Sequence, residues 1–463
     1  MSIISAMFGN KIQSFEQAFN AKDITSSQMQ EAIKAWFLMY VECPPPDGED
    51  DCQRLPVVIV NKITKTTFSE YEASMQLKGT KADFLSALLP KLEKPKKLAM
   101  QQALVGGECF VKPILAPGGF DFTVVRRDCF IPLARDTAGR IIDLGTSETT
   151  SYGGKYYTLL ERRSVAINGD LTIQSKLYMS NDPALIGSEV DLSALLKYEQ
   201  LQPEIVLPGV GNIGMAYVKT PLLNCVDMSM DGVSVYAPAV GLIRNINRNE
   251  AQLNDEFDNG ASRIIASSDM TIRGPDGKRK LNDKLFIAMD EDPETIGITT
   301  FTPELREASY LARKQEYLRN IESQIGLKRG ILSDVEAVEK TATEITSSAG
   351  DYNLTIQDFQ QMWENALREL LGICDKIGQL YKLCDSSKFD LQKDLAVDWG
   401  DGVLFNRDRT WAEISGMVAS GMLKPEIAIA WYYDLPFPED EKALNDIRSK
   451  YMPQIVALTQ GGE

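Results

Sequence analysis

The chain of 463 residues contains no histidine. Histidine is the side chain that most often exchanges protons near neutral pH, so its absence excludes Ser-His-Asp and Cys-His nucleophile systems and HExxH zinc sites. An enzyme made from this chain would depend on carboxylate, lysine, tyrosine or metal chemistry.

Cysteines are few and widely spaced. The seven cysteines form no CxxC pair, and the nearest pairs, Cys43 with Cys52 and Cys374 with Cys384, are too far apart for a metal knuckle. We therefore expect reduced, partly buried thiols, with neither a zinc site nor a disulfide framework.

Long apolar runs are also missing. No run approaches the roughly 18 residues that a membrane-spanning helix needs. The first residues, MSIISAMFGNKIQ, lack the basic start and apolar core of a signal peptide. The sequence thus predicts a protein that is made in a cytoplasm and has no membrane partner.

Positive charge is in deficit. The chain has 49 Lys and Arg against 65 Asp and Glu, which gives a formal net charge of −16. Tight nucleic-acid binding draws its affinity from Lys and Arg that neutralise phosphates. If this protein meets DNA, its charge favours passage of the duplex over capture. The content of 44% hydrophobic and 25% charged residues is typical of a globular protein.

The first half of the chain is predicted to combine helices with a β-rich block. The segment from Ser26 opens with helix-capping residues and repeats apolar side chains at helical spacing, at Ile33, Trp36, Phe37 and Tyr40. Residues 80–103 also have a helical pattern. Between residues 104 and 222, short runs such as FDFTVVRR and YYTLLERRSV alternate with turn residues, which predicts strands.

Two predicted helices then flank a small insert. Apolar residues recur every three to four positions in the first helix, at Val240, Ile243, Ile246, Leu253 and Phe257. Residues 263–303 are predicted as strands around the turn RGPDGKRK, and a charged helix follows up to Ile325. Its apolar stripe is narrow, which suits either a helix packed beside copies of itself or an ordinary surface helix. The stripe comprises Leu305, Ala308, Leu311, Leu318, Ile321 and Ile325.

The stretch GLKRGILSDVEAVEKTATEITSS, from Gly326 to Ser348, separates this helix from the next one. It is rich in hydroxyl and charged residues and is too polar for a core, so a loop is predicted. An amphipathic helix from Thr355 to Leu383 follows, then a strand at AVDWG and short helices towards the C-terminus.

Some motifs suggest functions that their surroundings disfavour. GVGNIG (209–214) matches GxGxxG, but strand-like MAYVKTP follows where a dinucleotide site needs a helix, so a turn between strands is predicted. GPDGKRK (274–280) has no P-loop pattern and is predicted as a charged hairpin turn. The acid clusters DEDPE (290–294) and DWGDG (398–402) lack the spacing of a calcium loop and are predicted as solvated turns.

Several segments, taken in order, resemble one protein family. EAIKAWFLMY resembles its opening helix, ALVGGECFVKPIL its Gly-Gly strand and RDCFIPLARDTAGRIID the strand and turn that follow. YYTLLERRSV with LTIQSKLYMS resembles a strand pair, and GVSVYAPAVGLIRNINRNEAQLNDEF resembles the beginning of a stem helix. GLKRGILSDVEAVEKTATEITSS is the strongest piece, because it resembles Gly-x-x-x-Gly-x-Leu-Ser followed by Lys-Thr-Ala-Thr-Glu. The family is that of the portal proteins of tailed double-stranded DNA bacteriophages, in the branch of long-tailed phages of Gram-positive hosts.

The resemblance implies an α+β portal fold that assembles as a ring, usually of twelve subunits, at one capsid vertex. The implied parts along the chain are a wing (1–236), stem helix 1 (237–262), a clip (263–303), stem helix 2 (304–333), a tunnel loop (334–355), a long helix and wing return (356–405) and a crown (406–463).

The resemblance also implies a function and a set of partners. The ring would be a channel for genome packaging and ejection, with no catalytic centre, metal or cofactor. Its partners would be copies of itself, double-stranded DNA without sequence specificity, the major capsid and scaffolding proteins, the terminase large subunit and a head–tail adaptor. It would be found in the virion after assembly in the host cytoplasm.

The site residues follow from the same resemblance. The tunnel loop would face the channel with Glu336, Glu339, Lys340, Thr341, Thr343, Glu344, Thr346, Ser347 and Ser348. The second stem helix would add Arg313, Lys314, Glu316, Arg319 and Glu322. The tip of the clip, a contact for terminase or connector, would present Arg273, Asp276, Lys278, Arg279 and Lys280. Hydroxyls that bind weakly and carboxylates that repel phosphates would let a duplex slide past.

Two other functions remain open on the sequence alone. The chain is alternatively an oligomeric scaffold or adaptor that never encloses DNA. The other alternative is a metal-dependent nuclease that uses Asp398 and Asp401, and the missing histidine counts against it.

Overall fold

The structure is a computed structural model, and it describes residues 15–41, 51–76, 79–116, 119–260, 263–266, 271–273, 279–281, 298–301, 304–334, 342–387, 390–400, 407–433, 435 and 440–452. The chain forms two compact units, Met1–Trp399 and Gly400–Glu463.

Helices begin the first unit: α1 (Ser27–Val41), α2 (Leu55–Thr67), α3 (Thr80–Ser86) and α4 (Glu93–Gly106). The predicted apolar face of α1 is confirmed, since Ile33, Trp36 and Phe37 are buried. The predicted helix over 80–103 is divided in two. A 3-10 turn over Pro90–Leu92 separates α3 from α4, because proline has no N–H with which to continue an α-helix.

The predicted β-rich block is confirmed as two antiparallel sheets. One sheet has the strand order β10–β2–β3, formed by β2 (Glu108–Ala116), β3 (Gly119–Val125) and β10 (Ala216–Lys219). The other is a meander of β4 (Phe130–Arg135), β5 (Ile141–Tyr152), β6 (Lys155–Val165) and β7 (Leu171–Ser180), with β8 (Ser188–Val190) and β9 (Glu204–Leu207) both paired to β7. A further strand, β1 (Glu72–Met75), precedes both sheets.

The GVGNIG motif lies between β9 and β10. Gly209, Gly211 and Gly214 have φ values of 68°, 76° and 68°, a region that favours glycine. No helix begins between β9 and β10, so the predicted turn between strands is confirmed.

The predicted order of helix, insert and helix is confirmed. α5 (Val240–Asn259) and α6 (Glu307–Ile325) flank the insert, in which β11 (Arg263–Ala266) pairs with β14 (Ile298–Phe301) and β12 (Thr271–Arg273) pairs with β13 (Arg279–Leu281). In the motif GPDGKRK, Arg279 and Lys280 belong to β13, and residues 274–278 lie outside the described residues. The predicted strand KLFIAMD and the DEDPE cluster lie outside the described residues.

The core of the first unit is built on α7 (Ala342–Leu380), the longest helix of the described chain. Phe359, Trp363 and Leu367 of α7 are fully buried, and the helix packs against α2, α3 and β10. A short helix α8 (Leu391–Asp394) follows. Next, β15 (Leu395–Asp398) pairs antiparallel with β1, which confirms the strand predicted at AVDWG.

The predicted start of the long helix at Thr355 is wrong, because α7 begins at Ala342. Residues 342–354 lack an apolar period, but they contain no proline. Ser and Thr cost an α-helix at most about 0.7 kcal/mol per residue relative to Ala. A polar helix continuing from a well-packed one is therefore hard to distinguish from a loop in the sequence.

The second unit contains α9 (Arg407–Ala419), α10 (Pro425–Tyr432) and α11 (Glu441–Tyr451), which confirms the predicted short helices. Asp440 caps α11 by accepting a hydrogen bond of 2.8 Å from the Ala443 backbone N–H. The buried Glu426 of α10 accepts a hydrogen bond of 2.6 Å from Arg448 of α11. Throughout the described residues, no helix is long and apolar enough to cross a membrane.

Candidate functional site

The pair of helices α5 and α6 carries the predicted site. The two helices run antiparallel: Glu256 near the end of α5 pairs with Arg306 just before α6, at 2.6 Å, and Glu250 pairs with Lys314, at 2.9 Å. We call the end next to the insert the tip (residues 252–260 and 304–312) and the opposite end the root (residues 240–249 and 314–325).

The root lies in the main core. Ile243 and Ile246 of α5 and Leu318 and Ile321 of α6 are buried in the same apolar cluster as α7. Where α5 leaves this cluster, the buried Asn249 donates a hydrogen bond of 3.1 Å to the Tyr310 carbonyl oxygen. The apolar stripes predicted for the two helices are confirmed at this end.

The tip is held by surface contacts. The hydrogen bonds from Arg306 lower the pKa of Glu256, so this carboxyl is charged well below neutral pH. Leu305, Leu311 and Phe257, which the sequence assigns to apolar stripes, are 41%, 44% and 45% exposed. Among the described residues little covers these three side chains, whereas Leu253, in the same stripe as Phe257, is buried.

A short segment from the N-terminal region also contacts the pair. Gln53 accepts a hydrogen bond of 2.9 Å from the Lys314 ammonium, and its backbone N–H donates to the Asn247 side chain at 3.1 Å. Asn254 donates to the carboxylate of Asp51 at 2.7 Å. These contacts were missed from the sequence, since a polar loop next to CPPPDGEDD gives no periodic signal.

Glu322 does not lie on a surface, which corrects its predicted position on a channel wall. Its carboxylate is fully buried and accepts hydrogen bonds from the Ser333 N–H (2.9 Å) and hydroxyl (2.8 Å) and from the Leu332 N–H. A buried carboxylate is stable only when such donors satisfy it. Glu322 thus connects the turn after α6 to the helix through these hydrogen bonds.

The turn after α6 is fixed at its other side as well. Gly326 ends α6 with a φ of 76°, and a Cβ at this position would lie 2.6 Å from the hydroxyl of Thr355 in α7. Only glycine combines this conformation with so close an approach. The root of the pair, the turn and α7 therefore form one packed body.

The other predicted residues of α6 divide between surface and interior contacts. Arg313 is exposed and donates a hydrogen bond of 2.9 Å to the Tyr317 hydroxyl, and Glu316 is exposed. Lys314 is half-buried in its pairing with Glu250, and Arg319 is partly buried. Of the predicted set, the structure therefore brings Arg313 and Glu316 together on one exposed side of α6.

The predicted tunnel-loop residues are only partly within the described chain. Thr343, Glu344, Thr346, Ser347 and Ser348 belong to the first turns of α7 rather than to a loop. Glu336, Glu339, Lys340 and Thr341 lie outside the described residues.

The predicted clip tip corresponds to the β12–β13 hairpin. In its register, Arg273 is opposite Arg279, and Lys280 is opposite Ile272. Three of the five predicted residues, Arg273, Arg279 and Lys280, therefore lie in this strand pair. Asp276 and Lys278 lie outside the described residues.

The residues considered for metal chemistry do not form a cluster in the described chain. Asp398 ends β15, while Asp401 lies outside the described residues. Across the described ranges, no three His, Cys, Asp or Glu side chains are grouped as metal ligands.

Comparison with known families identifies a match over most of the chain. The family model described as "Phage portal protein, SPP1 Gp6-like" matches residues 91–449, which include α5, the insert, α6 and α7. No curated protein matches the chain.

Proposed function

The chain belongs to the SPP1 Gp6-like family of phage portal proteins, and we propose that it forms a ring-shaped channel at one capsid vertex. Double-stranded DNA would be packaged through this channel and later ejected. The observation that carries the proposal is the antiparallel helix pair α5–α6, which flanks a small strand insert inside the matched span.

We assign the parts of the proposed portal on this basis. The stem is α5 and α6, the clip is the insert (263–303), the tunnel segment is residues 334–355 with the first turns of α7, and the crown is residues 406–463. Residues 1–236 and 356–405 make up the wing. The β12–β13 hairpin would meet terminase during packaging and a head–tail adaptor afterwards, and the wing would meet capsid and scaffolding proteins.

The proposed channel wall combines hydroxyls with charges of both signs. Thr343, Glu344, Thr346, Ser347 and Ser348 open α7, and Arg313 lies on the exposed side of α6. Carboxylates repel the phosphates of a passing duplex, while a wholly basic wall would bind it through counterion release. In this account DNA passes through the protein, and the protein catalyses no reaction. The virion is of the long-tailed type.

Native mass spectrometry with negative-stain class averages of the purified chain tests the proposal. We expect a closed ring with a bore of at least about 20 Å, wide enough for a duplex whose major groove alone spans about 12 Å. A closed assembly without a bore would favour a scaffold or adaptor. Metal-dependent DNA cleavage that is lost on Asp398→Ala would favour a nuclease instead.

A further inference from the structure

Two arginines of α5 have no side-chain partner among the described residues. Arg244 and Arg248 are exposed at the root, one turn apart, and neither forms an ion pair or a side-chain hydrogen bond in the part of the chain that the structure describes. Like charges four residues apart on a helix repel each other. In a chain with 65 acidic residues, this pair of unpaired arginines suggests a partner outside the subunit.

Both arginines point away from α6. At 3.6 residues per turn, Arg244 and Arg248 lie on the side of α5 opposite Ile246, Asn249 and Leu253, which are buried against α6 and the core. We call this side of the helix the outer face of α5. The segment around Gln53 meets α5 at Asn247 and Asn254, beside this outer face.

A carboxylate lies on the corresponding side of α6. Glu316 is on the side of α6 opposite the buried Leu318 and Ile321, which we call the outer face of α6. Its side chain is 63% exposed, and its two contacts in the same helix are long: Asn320 donates a hydrogen bond to it at 3.5 Å, and Arg319 lies 3.8 Å away, at the limit of an ion pair. Glu316 is thus available to a stronger cation.

Arg248 and Glu316 lie at the same level along the helix pair. Glu250 pairs with Lys314, so two residues further towards the root on each antiparallel helix are Arg248 and Glu316. The two levels agree to within about one turn, or about 5 Å. The arginine and the carboxylate are therefore level with each other on opposite outer faces of one two-helix layer.

We propose that Arg248, with Arg244 beside it, forms an ion pair with Glu316 of a second copy of this chain. This inference rests on the proposed function, because it requires a ring. In a ring whose axis runs along the helix pair, the symmetry rotation keeps every residue at its level along that axis. A head-to-tail contact in such a ring joins two different faces of the subunit. The outer face of α5 in one copy then meets the outer face of α6 in the next, and the planar guanidinium suits a carboxylate.

Charges elsewhere on the two faces restrict the contact to this register. A shift of one turn towards the tip would put Arg248 level with Arg313, a like charge. At the tip, the outer face of α5 is acidic and exposed, with Asp255 and Asp258. The outer face of α5 therefore changes from positive charge at the root to negative charge at the tip.

Charge reversal tests the proposal on the full-length protein. Arg248→Glu and Glu316→Arg each replace an attraction by a repulsion, and each should raise the concentration needed for ring assembly about tenfold or more. The double variant Arg248→Glu/Glu316→Arg restores opposite charges and should assemble within about twofold of the wild type. Arg248→Lys keeps the positive charge and loses only the planar guanidinium, so we expect the concentration needed for ring assembly to rise by less than about threefold.

The measurement is the ring fraction against protein concentration by native mass spectrometry, with thermal unfolding of each dissociated variant as the control for folding. Single variants that assemble like the wild type would overturn the inference and leave the channel intact, whereas a wild type that forms no ring would overturn the channel itself. A double variant that is no better than the single variants would show that the two residues do not meet. Normal assembly of Arg248→Glu with altered DNA passage would place Arg248 on the channel wall, which also contradicts the inference.

Discussion

The root and the tip of the α5–α6 pair are stabilised in different ways. At the root, Ile321 is fully buried in the main core and Glu322 is satisfied by buried donors. At the tip, the pair is held by Glu256 and Arg306 at the surface, and Leu311 remains 44% exposed. The subunit thus depends on the root for its stability, while the tip retains apolar and charged groups that are free to contact other molecules.

Truncation of an apolar side chain should produce the largest difference in stability between the two ends. Ile321→Ala leaves a cavity in the core and should lower the free energy of unfolding by about 2–5 kcal/mol. Leu311→Ala, on the same helix, removes a half-exposed side chain and should change it by no more than about 0.5 kcal/mol. Urea unfolding of the dissociated subunit measures both. Equal losses of unfolding free energy in the two variants would contradict the difference between root and tip.

Removal of the buried charge at the root should have an intermediate effect. Glu322→Gln keeps the size of the side chain but replaces one acceptor oxygen by a donor that faces Ser333 or Leu332. We expect a loss of about 1–3 kcal/mol and faster proteolysis within residues 326–334. Glu316→Gln, the same change at an exposed position of α6, is the matched control and should leave the unfolding of the dissociated subunit within about 0.5 kcal/mol. Equal stability of the two variants would show that Glu322 does not hold the turn.

Loss of the ion pair at the tip should have the smallest effect on stability and should depend on pH. Arg306 lowers the pKa of Glu256 below its usual value of 4.5, so the contribution of this pair is fully present above pH 4.5 and is lost as the pH falls through the lowered pKa. Arg306→Ala should therefore lower the melting temperature slightly at pH 7 and not at pH values below that range. Added salt should reduce the difference at pH 7. A difference that grows in acid would contradict this sign.

The sequence predicted the elements whose apolar residues repeat and are covered within the subunit. Ile243, Ile246 and Leu318 have helical spacing and are buried, so the position of the helix pair followed from the pattern. Leu311 has the same spacing but is exposed. Periodicity identifies the apolar side of a helix, yet it does not show which neighbour covers that side or at which turn the cover ends.

The remaining features depend on contacts that are distant along the chain or lack a pattern. Glu322 is one of many charges on α6, and only the folded turn reveals its donors at Leu332 and Ser333. The first turns of α7 are rich in Ser and Thr, so a helix there has the composition of a loop. The level of Arg248 with Glu316 required the register of two antiparallel helices, which no local pattern specifies.

A cryo-electron microscopy reconstruction of the assembled protein tests the central claim most directly. The account predicts a ring with an open bore, with α5 and α6 of each copy arranged side by side around it and the first turns of α7 facing the bore. Helix pairs that lie on the outside of the assembly, or an assembly in which no bore exists, would contradict the proposed channel.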